Sequence, residues 1–162
     1  MYDFKIWIDA DSCPTLVKEY LLNIGKEKSL NENFVANKQI ELPSDSPFIK
    51  MFICEKTNGA ADDFIFEKAS GNDIVITRDI LFAARLVEKN IFVTNDRGYV
   101  FTKFNIQDRL AERNLNLNLS ILGLNKKSSN RYSQNELKKF KETFEKQVFQ
   151  LIVNENFLKN RK

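Results

Sequence analysis

Short apolar runs alternate with amphipathic stretches through the first two thirds of the chain. Phe4-Lys5-Ile6-Trp7-Ile8 is apolar and β-prone and stops at Asp9, as a buried strand would. Pro14 suits the first turn of a helix, where its missing N–H costs nothing, and Leu16, Val17, Tyr20, Leu21 and Ile24 then recur at helical spacing up to Gly25. Strands are expected at 34–36 and 50–54, both of the length and composition of strands covered on two faces. Residues 61–69 read as a helix broken by Gly71-Asn72. Asp73-Ile74-Val75-Ile76-Thr77 is the clearest strand, followed by a helix over 81–90 and a strand at 91–93. The repeated order strand–helix–strand implies a parallel sheet with right-handed crossovers.

Beyond Arg97-Gly98 the pattern weakens to a short extended piece at 99–101 and a helix from about Asn105. Residues 123–132 form a polar connector. Ser133 with Glu136 three residues on is a capping-box signature, and Leu137, Phe140, Phe144, Val148 and Leu151 make one apolar stripe after it. The expected organisation is an α/β core over 1–122, the connector 123–132, and a C-terminal helix over 133–158 packed back onto the core. A chain of 162 residues fits one such domain. Its apolar runs fall far short of the roughly 20 residues that span a bilayer. No basic-then-apolar leader pattern follows Met1, so a cytoplasmic protein without a membrane partner is expected. Cys13 and Cys54 are too few for a disulfide framework and read as reduced thiols.

The chain contains no histidine. That removes His-activated Ser or Cys nucleophiles, His acid–base catalysis and His-ligated zinc or iron. Chemistry must come from carboxylates, Lys, Tyr, Cys, or a cation bound by carboxylates. Charge is uneven: residues 126–162 hold ten Lys+Arg against four Asp+Glu, which leaves residues 1–125 net acidic within a total of +3. A basic tail on an acidic body suits a polyanion, although a lysine-rich surface helix gives the same count.

In an open parallel sheet, ligands sit outside the carboxyl ends of the strands near a topological switch point. The aspartates follow that rule. Asp9 and Asp11 lie just after the first strand, Asp62 opens the helix after the third, Asp79 follows the strand ending at Thr77, and Asp96 follows the one ending at Val93. Carboxylates gathered there would form an electronegative hollow that wants a cation, and oxygen-only ligands favour magnesium or manganese. Structural roles compete: Asp62 and Asp79 each stand where they could cap a helix, and Asp96 in Asn95-Asp96-Arg97-Gly98 has the setting of a turn residue. Asp63 and Asp73 read as a first-turn helix acid and a loop residue. Two acids leaving a buried strand, Asp9 and Asp11, are poor for folding alone and point to function. Cys13 at a helix start could have a lowered thiol pKa, but it reads better as a small helix-entry residue, and Trp7 as core.

Ile8-Asp9-Ala10-Asp11-Ser12-Cys13-Pro14 resembles the Asp-Ala-Asp-Ala-Cys-Pro signature of the bacterial YaiI/YqxD family. The resemblance extends to Ala36-Asn37, Ala61-Asp62, the strand 73–77 with Asp79, Asn95 and Arg97-Gly98, and covers residues 6 to about 113. It implies likeness to the PIN-like nucleases, a three-layer, Rossmann-like α/β domain with a mainly parallel sheet flanked by helices. Their clustered acids hold Mg²⁺ or Mn²⁺, one or two ions, to hydrolyse RNA. Under that resemblance Asp9, Asp62 and Asp79 are metal ligands and catalytic acids, and Asp11, from the narrower signature, is a further ligand or orients the attacking water. Thr77, Asn95 and Arg97 would contact the phosphate or the water around the metal, and Arg78 with the tail lysines would position the backbone. Asp96 stands where that family tends to have proline and is an extra candidate only.

The expected activity is metal-dependent phosphodiester hydrolysis with RNA as partner. Ile8-Asp9-Ala10-Asp11 also resembles the Asp-x-Asp loop of haloacid dehalogenase-like phosphohydrolases, in which Asp9 would be the nucleophile and Asp11 the acid/base. A non-catalytic binding protein with a vestigial acidic hollow is the third reading. The C-terminal helix leaves a homodimer open, since a stripe packed on its own domain looks identical in sequence.

Overall fold

The computed structural model describes residues 1–42, 45–124 and 131–161. Six strands and five helices follow in the order β1 (Ile6–Asp9), α1 (Thr15–Lys28), β2 (Glu32–Ala36), β3 (Ile49–Ile53), α2 (Ala60–Lys68), β4 (Ile74–Ile76), α3 (Ile80–Glu88), β5 (Phe92–Thr94), β6 (Val100–Phe101), α4 (Ile106–Ile121) and α5 (Gln134–Lys159). Within the connector expected at 123–132, residues 125–130 lie outside the described residues.

The strands form one sheet in the order β3-β2-β1-β4-β5-β6. Every pairing is parallel except β5 with β6, which runs antiparallel because the tight turn at 95–98 leaves no room for a crossover. The chain builds outward from β1 to β3, then returns to lay β4 on the other side of β1. That reversal makes β1/β4 the switch point, with Ile8 paired to Ile76.

Each strand's alternating side chains feed two cores. Ile6, Ile8, Phe34, Ile74 and Ile76 pack under α1 and α5, while Trp7, Val35, Val75 and Val93 pack under α2, α3 and α4. The result is a three-layer α/β sandwich, consistent with the PIN-like arrangement that the resemblance implies. The expected stripe on α5 is buried as predicted, from Leu137 to Leu151, and Glu136 reaches back to the Ser133 N–H at 2.8 Å as a capping box should. Among the described residues no helix is long and apolar enough to cross a membrane.

Three local expectations are corrected. Gly25 does not end α1, which runs on to Lys28 and stops at Ser29, held in the left-handed region at φ 53°. Glycine is needed there for close approach: a Cβ on Gly25 would lie 2.5 Å from Oε2 of Glu32. The strand at 49–53 is not covered on both faces. As β3 it forms the sheet edge, and Ile53 is 58% exposed. Asp73 is no plain loop residue, for its buried carboxylate accepts from the backbone N–H of Lys5 at 2.8 Å and of Ser70 at 3.0 Å and from Trp7 Nε1 at 3.1 Å. It anchors the amino edge of the sheet, opposite the other acids.

Glu32 is a further surprise. Its side chain is wholly buried where β2 begins, and neither carboxyl oxygen has a partner among the described residues. Burial pushes it up to about 9, so the carboxyl is protonated and neutral at neutral pH.

Candidate functional site

The carboxyl edge of the sheet collects the acids in the order the topology dictates. Asp9 is the last residue of β1. Its burial, to 8% exposure, follows from its place in the central strand of the sheet. Two hydroxyls compensate: Ser12 Oγ donates to Asp9 Oδ2 at 3.0 Å and Thr77 Oγ1 donates to the same oxygen at 3.1 Å. Burial raises the Asp9 carboxyl above the usual carboxylate range, these two hydrogen bonds oppose the rise, and the charges of Asp11 and Asp79 add to it.

Asp11 is exposed, and its Oδ2 accepts from the backbone N–H of Asn37 at 2.8 Å, which ties the loop after β1 to the loop after β2. Asp62 does not cap α2. Gly59 takes the cap position with φ 79°, and Asp62 stands in the first turn. Its carboxyl is pushed up to about 6, first by burial and then by the charges of Asp9 and Asp79, against a smaller opposing effect of Arg85. Asp79 does cap α3, accepting from Phe82 N–H at 3.1 Å, while its own N–H donates to Thr77 Oγ1 at 3.1 Å. The cap and the place at the switch point coexist in one residue.

Asp9, Asp11 and Asp62 share a hollow of about 170 Å³ whose lining is almost entirely polar and includes Asn37, Glu55 and Thr57. Asp79 stands outside that lining but acts on Asp9 and Asp62 through its charge. Glu55 and Thr57 were not singled out from sequence. The available signal is position, since Glu55 follows β3 as Asp11 follows β1. A larger hollow, about 570 Å³ between α1 and α5, is lined by Tyr20, Phe144 and Val148 together with Glu27, Lys28 and Glu145, and by none of these aspartates.

The remaining candidates divide. Thr77 is buried and bridges Asp9 to Asp79. Asn95 shapes the turn after β5, its Oδ1 accepting from the N–H groups of Arg97 at 3.0 Å and Tyr99 at 2.9 Å. Arg97 lies on that turn, and its charge adds a little to the lowering of the Glu136 carboxyl of α5, which the Ser133 hydroxyl and backbone hydrogen bonds chiefly cause. Asp96 is 3% exposed and binds Arg78, with Nε at 2.7 Å and Nη2 at 2.5 Å from Oδ2. The Cys13 thiol is not activated by its helix start: burial pushes it up to about 12.

Among the described residues no three His, Cys, Asp or Glu side chains stand close enough to hold a metal ion together. The donor set is nonetheless that of a hard cation which keeps much of its water and takes one or two carboxylates. Asp9 and Asp62, both held above the usual carboxylate range first by burial and then by neighbouring acids, are what such an ion would relieve.

The sequence model of a family described as uncharacterized, YaiI/YqxD, matches residues 7–150. Relatives named UPF0178 protein include one from Treponema denticola, 39% identical over 84% of this chain and 86% of its own length. Another from Psychromonas ingrahamii is 38% identical over 83% of this chain and 89% of its own. A third, from Treponema pallidum, is 33% identical over 91% of this chain and 82% of its own. No solved structure matches the chain at significance.

Proposed function

The chain belongs to the YaiI/YqxD family, and from the acids gathered at its switch point we propose that it hydrolyses phosphodiester bonds, those of RNA, with Mg²⁺ or Mn²⁺. The observation that carries this reading is the shared polar hollow of Asp9, Asp11 and Asp62, with Asp79 acting on it from the far side of the β1/β4 seam. One or two bound cations would supply Lewis acidity at the phosphate and a water acidified enough to attack at neutral pH. In a chain without histidine, such an ion is one source of that water.

The chain's own residues would do the rest. Among the described residues both hydrogen bonds to Asp9 fall on Oδ2, which leaves Oδ1 as the oxygen for a ligand. Thr77 would hold Asp9 and Asp79 in register, so that the two carboxylates address one substrate position. Asp11, exposed and held by the Asn37 N–H, would orient water at the mouth of the hollow. Asp62, on a helix rather than a strand end, would close the site from the α2 side.

Calorimetric titration of Mn²⁺ into the wild type, Asp9→Asn and Asp79→Asn, followed by an RNA cleavage assay, tests the reading. Binding that both substitutions remove, together with Mn²⁺-dependent cleavage, is expected. A wild type that neither binds Mn²⁺ nor cleaves RNA would overturn it and favour a binding protein. Turnover of p-nitrophenyl phosphate without RNA cleavage would favour the aspartyl-phosphate alternative.

A further inference from the structure

Arg78 stands between two residues of the acid site, yet turns away from it. Thr77 directs its hydroxyl to Asp9, and the Asp79 N–H returns to Thr77. Neighbouring side chains on an extended segment leave on opposite sides. Arg78 accordingly reaches toward the end of β5, where Nε and Nη2 both contact Oδ2 of Asp96. Asp96 is buried and held a second time through its backbone oxygen, which accepts from the Tyr132 hydroxyl at 2.6 Å. The arginine side chain itself remains 46% exposed. A guanidinium has five N–H donors in a rigid fork, and one carboxylate oxygen cannot occupy them all.

The acids and this ion pair share one edge. The strands β1 and β5, whose ends carry Asp9 and lead into Asp96, lie on either side of β4, from whose end Arg78 departs. Neutralising Asp96 alone would need only a buried partner. A half-exposed arginine, immobilised by a buried acid beside an acidic hollow, offers an anion a second fixed contact about one strand spacing, ~4.8 Å, beyond β4.

We propose that Arg78, braced by Asp96, binds a phosphate next to the one processed at the aspartates, so that the substrate is a polynucleotide strand rather than a phosphomonoester. This rests on the reading of the aspartates as a phosphodiester site. The acidic hollow alone repels a polyanion, and Arg78 supplies attraction that requires no cation. A mononucleotide occupies one of the two positions, and a strand occupies both. Asp96 is a positioning residue that acts through Arg78.

The test is equilibrium binding of a labelled single-stranded RNA oligonucleotide and of a nucleoside monophosphate, with Mn²⁺ calorimetry and thermal melting alongside. Arg78→Ala is expected to weaken RNA binding roughly tenfold and to lower the salt-dependence slope by about one. Its Mn²⁺ binding and mononucleotide affinity should be retained. Asp96→Asn is expected to lose part of the RNA affinity while still binding Mn²⁺. Unchanged RNA affinity and salt slope in Arg78→Ala, with wild-type Mn²⁺ binding intact, would overturn this assignment and leave the aspartate reading standing. Full RNA affinity in Asp96→Asn would overturn the bracing role. A wild type that binds neither RNA nor Mn²⁺ would overturn both readings together.

Discussion

The hydroxyl of Thr77 donates to Asp9 Oδ2 at 3.1 Å, joining the end of β4 to the end of β1 across the switch point of the sheet. Because Asp79 N–H donates to the same hydroxyl, one threonine sets the spacing of two acids that lie 70 residues apart in sequence. A buried carboxylate held this way is oriented at some cost to folding, and that cost can be measured.

Asp9→Asn should stabilise the protein while removing its response to cations. The carboxylate is disfavoured by burial and by the charges of Asp11 and Asp79, so a neutral isostere relieves that penalty and Tm should rise. Thermal melts with and without Mn²⁺ check both parts: the wild type should shift upward with the ion and the variant should not.

At Asp79 the two roles can be separated. Asparagine caps a helix as well as aspartate does, whereas alanine forfeits about 1 kcal/mol. Asp79→Asn should therefore keep wild-type stability in urea and lose Mn²⁺ binding, and Asp79→Ala should lose both. Equal loss of stability in the two variants would show that the charge, not the cap bond to Phe82, supports α3.

Glu32 should make stability depend on pH. Its folded-state pKa of about 9 lies above the ordinary 4.5, so the native state holds a proton that the unfolded chain releases. Its contribution is full below pH 4.5, falls as pH rises, and is lost through about 9. The difference between pH 4.5 and neutrality is on the order of 3 kcal/mol. Urea denaturation across this window should give a falling curve for the wild type and a flatter one for Glu32→Gln.

Gly98→Ala should be among the costlier surface-turn substitutions. Gly98 has φ 78°, and a Cβ there would meet the backbone oxygen of Lys139 at 2.5 Å, an atom in the middle of a helix that cannot yield. A loss of roughly 2 kcal/mol or more in urea denaturation is expected, with the Thr143 hydroxyl bond to Gly98 O broken.

Strand and helix order was legible because buried parallel strands are short apolar runs, and Ile6–Asp9 and Ile74–Ile76 read as such without ambiguity. The α5 stripe was legible for the same reason. What could not be read locally were contacts between distant positions. Gly25 looks like a helix stop until Glu32 is seen beneath it, and Asp73 looks like a loop acid until the Trp7 indole is found on it. The site shows the same division. Acids at strand ends and helix starts can be placed from topology, so the gathering of Asp9, Asp11 and Asp62 at one edge is legible, while the pairing of Arg78 with Asp96 depends on how β4 and β5 terminate beside each other.

The reversal of strand order at β1 divides the acids and the threonine that joins them between two parts of the chain. Asp9, Asp11 and Asp62 belong to the part that builds β1 to β3, and Thr77 and Asp79 to the part that builds β4 to β6. A ligand held by Asp9 and Asp79 together would act as a clasp on the seam, and amide exchange at Ile74–Ile76 would slow when it binds.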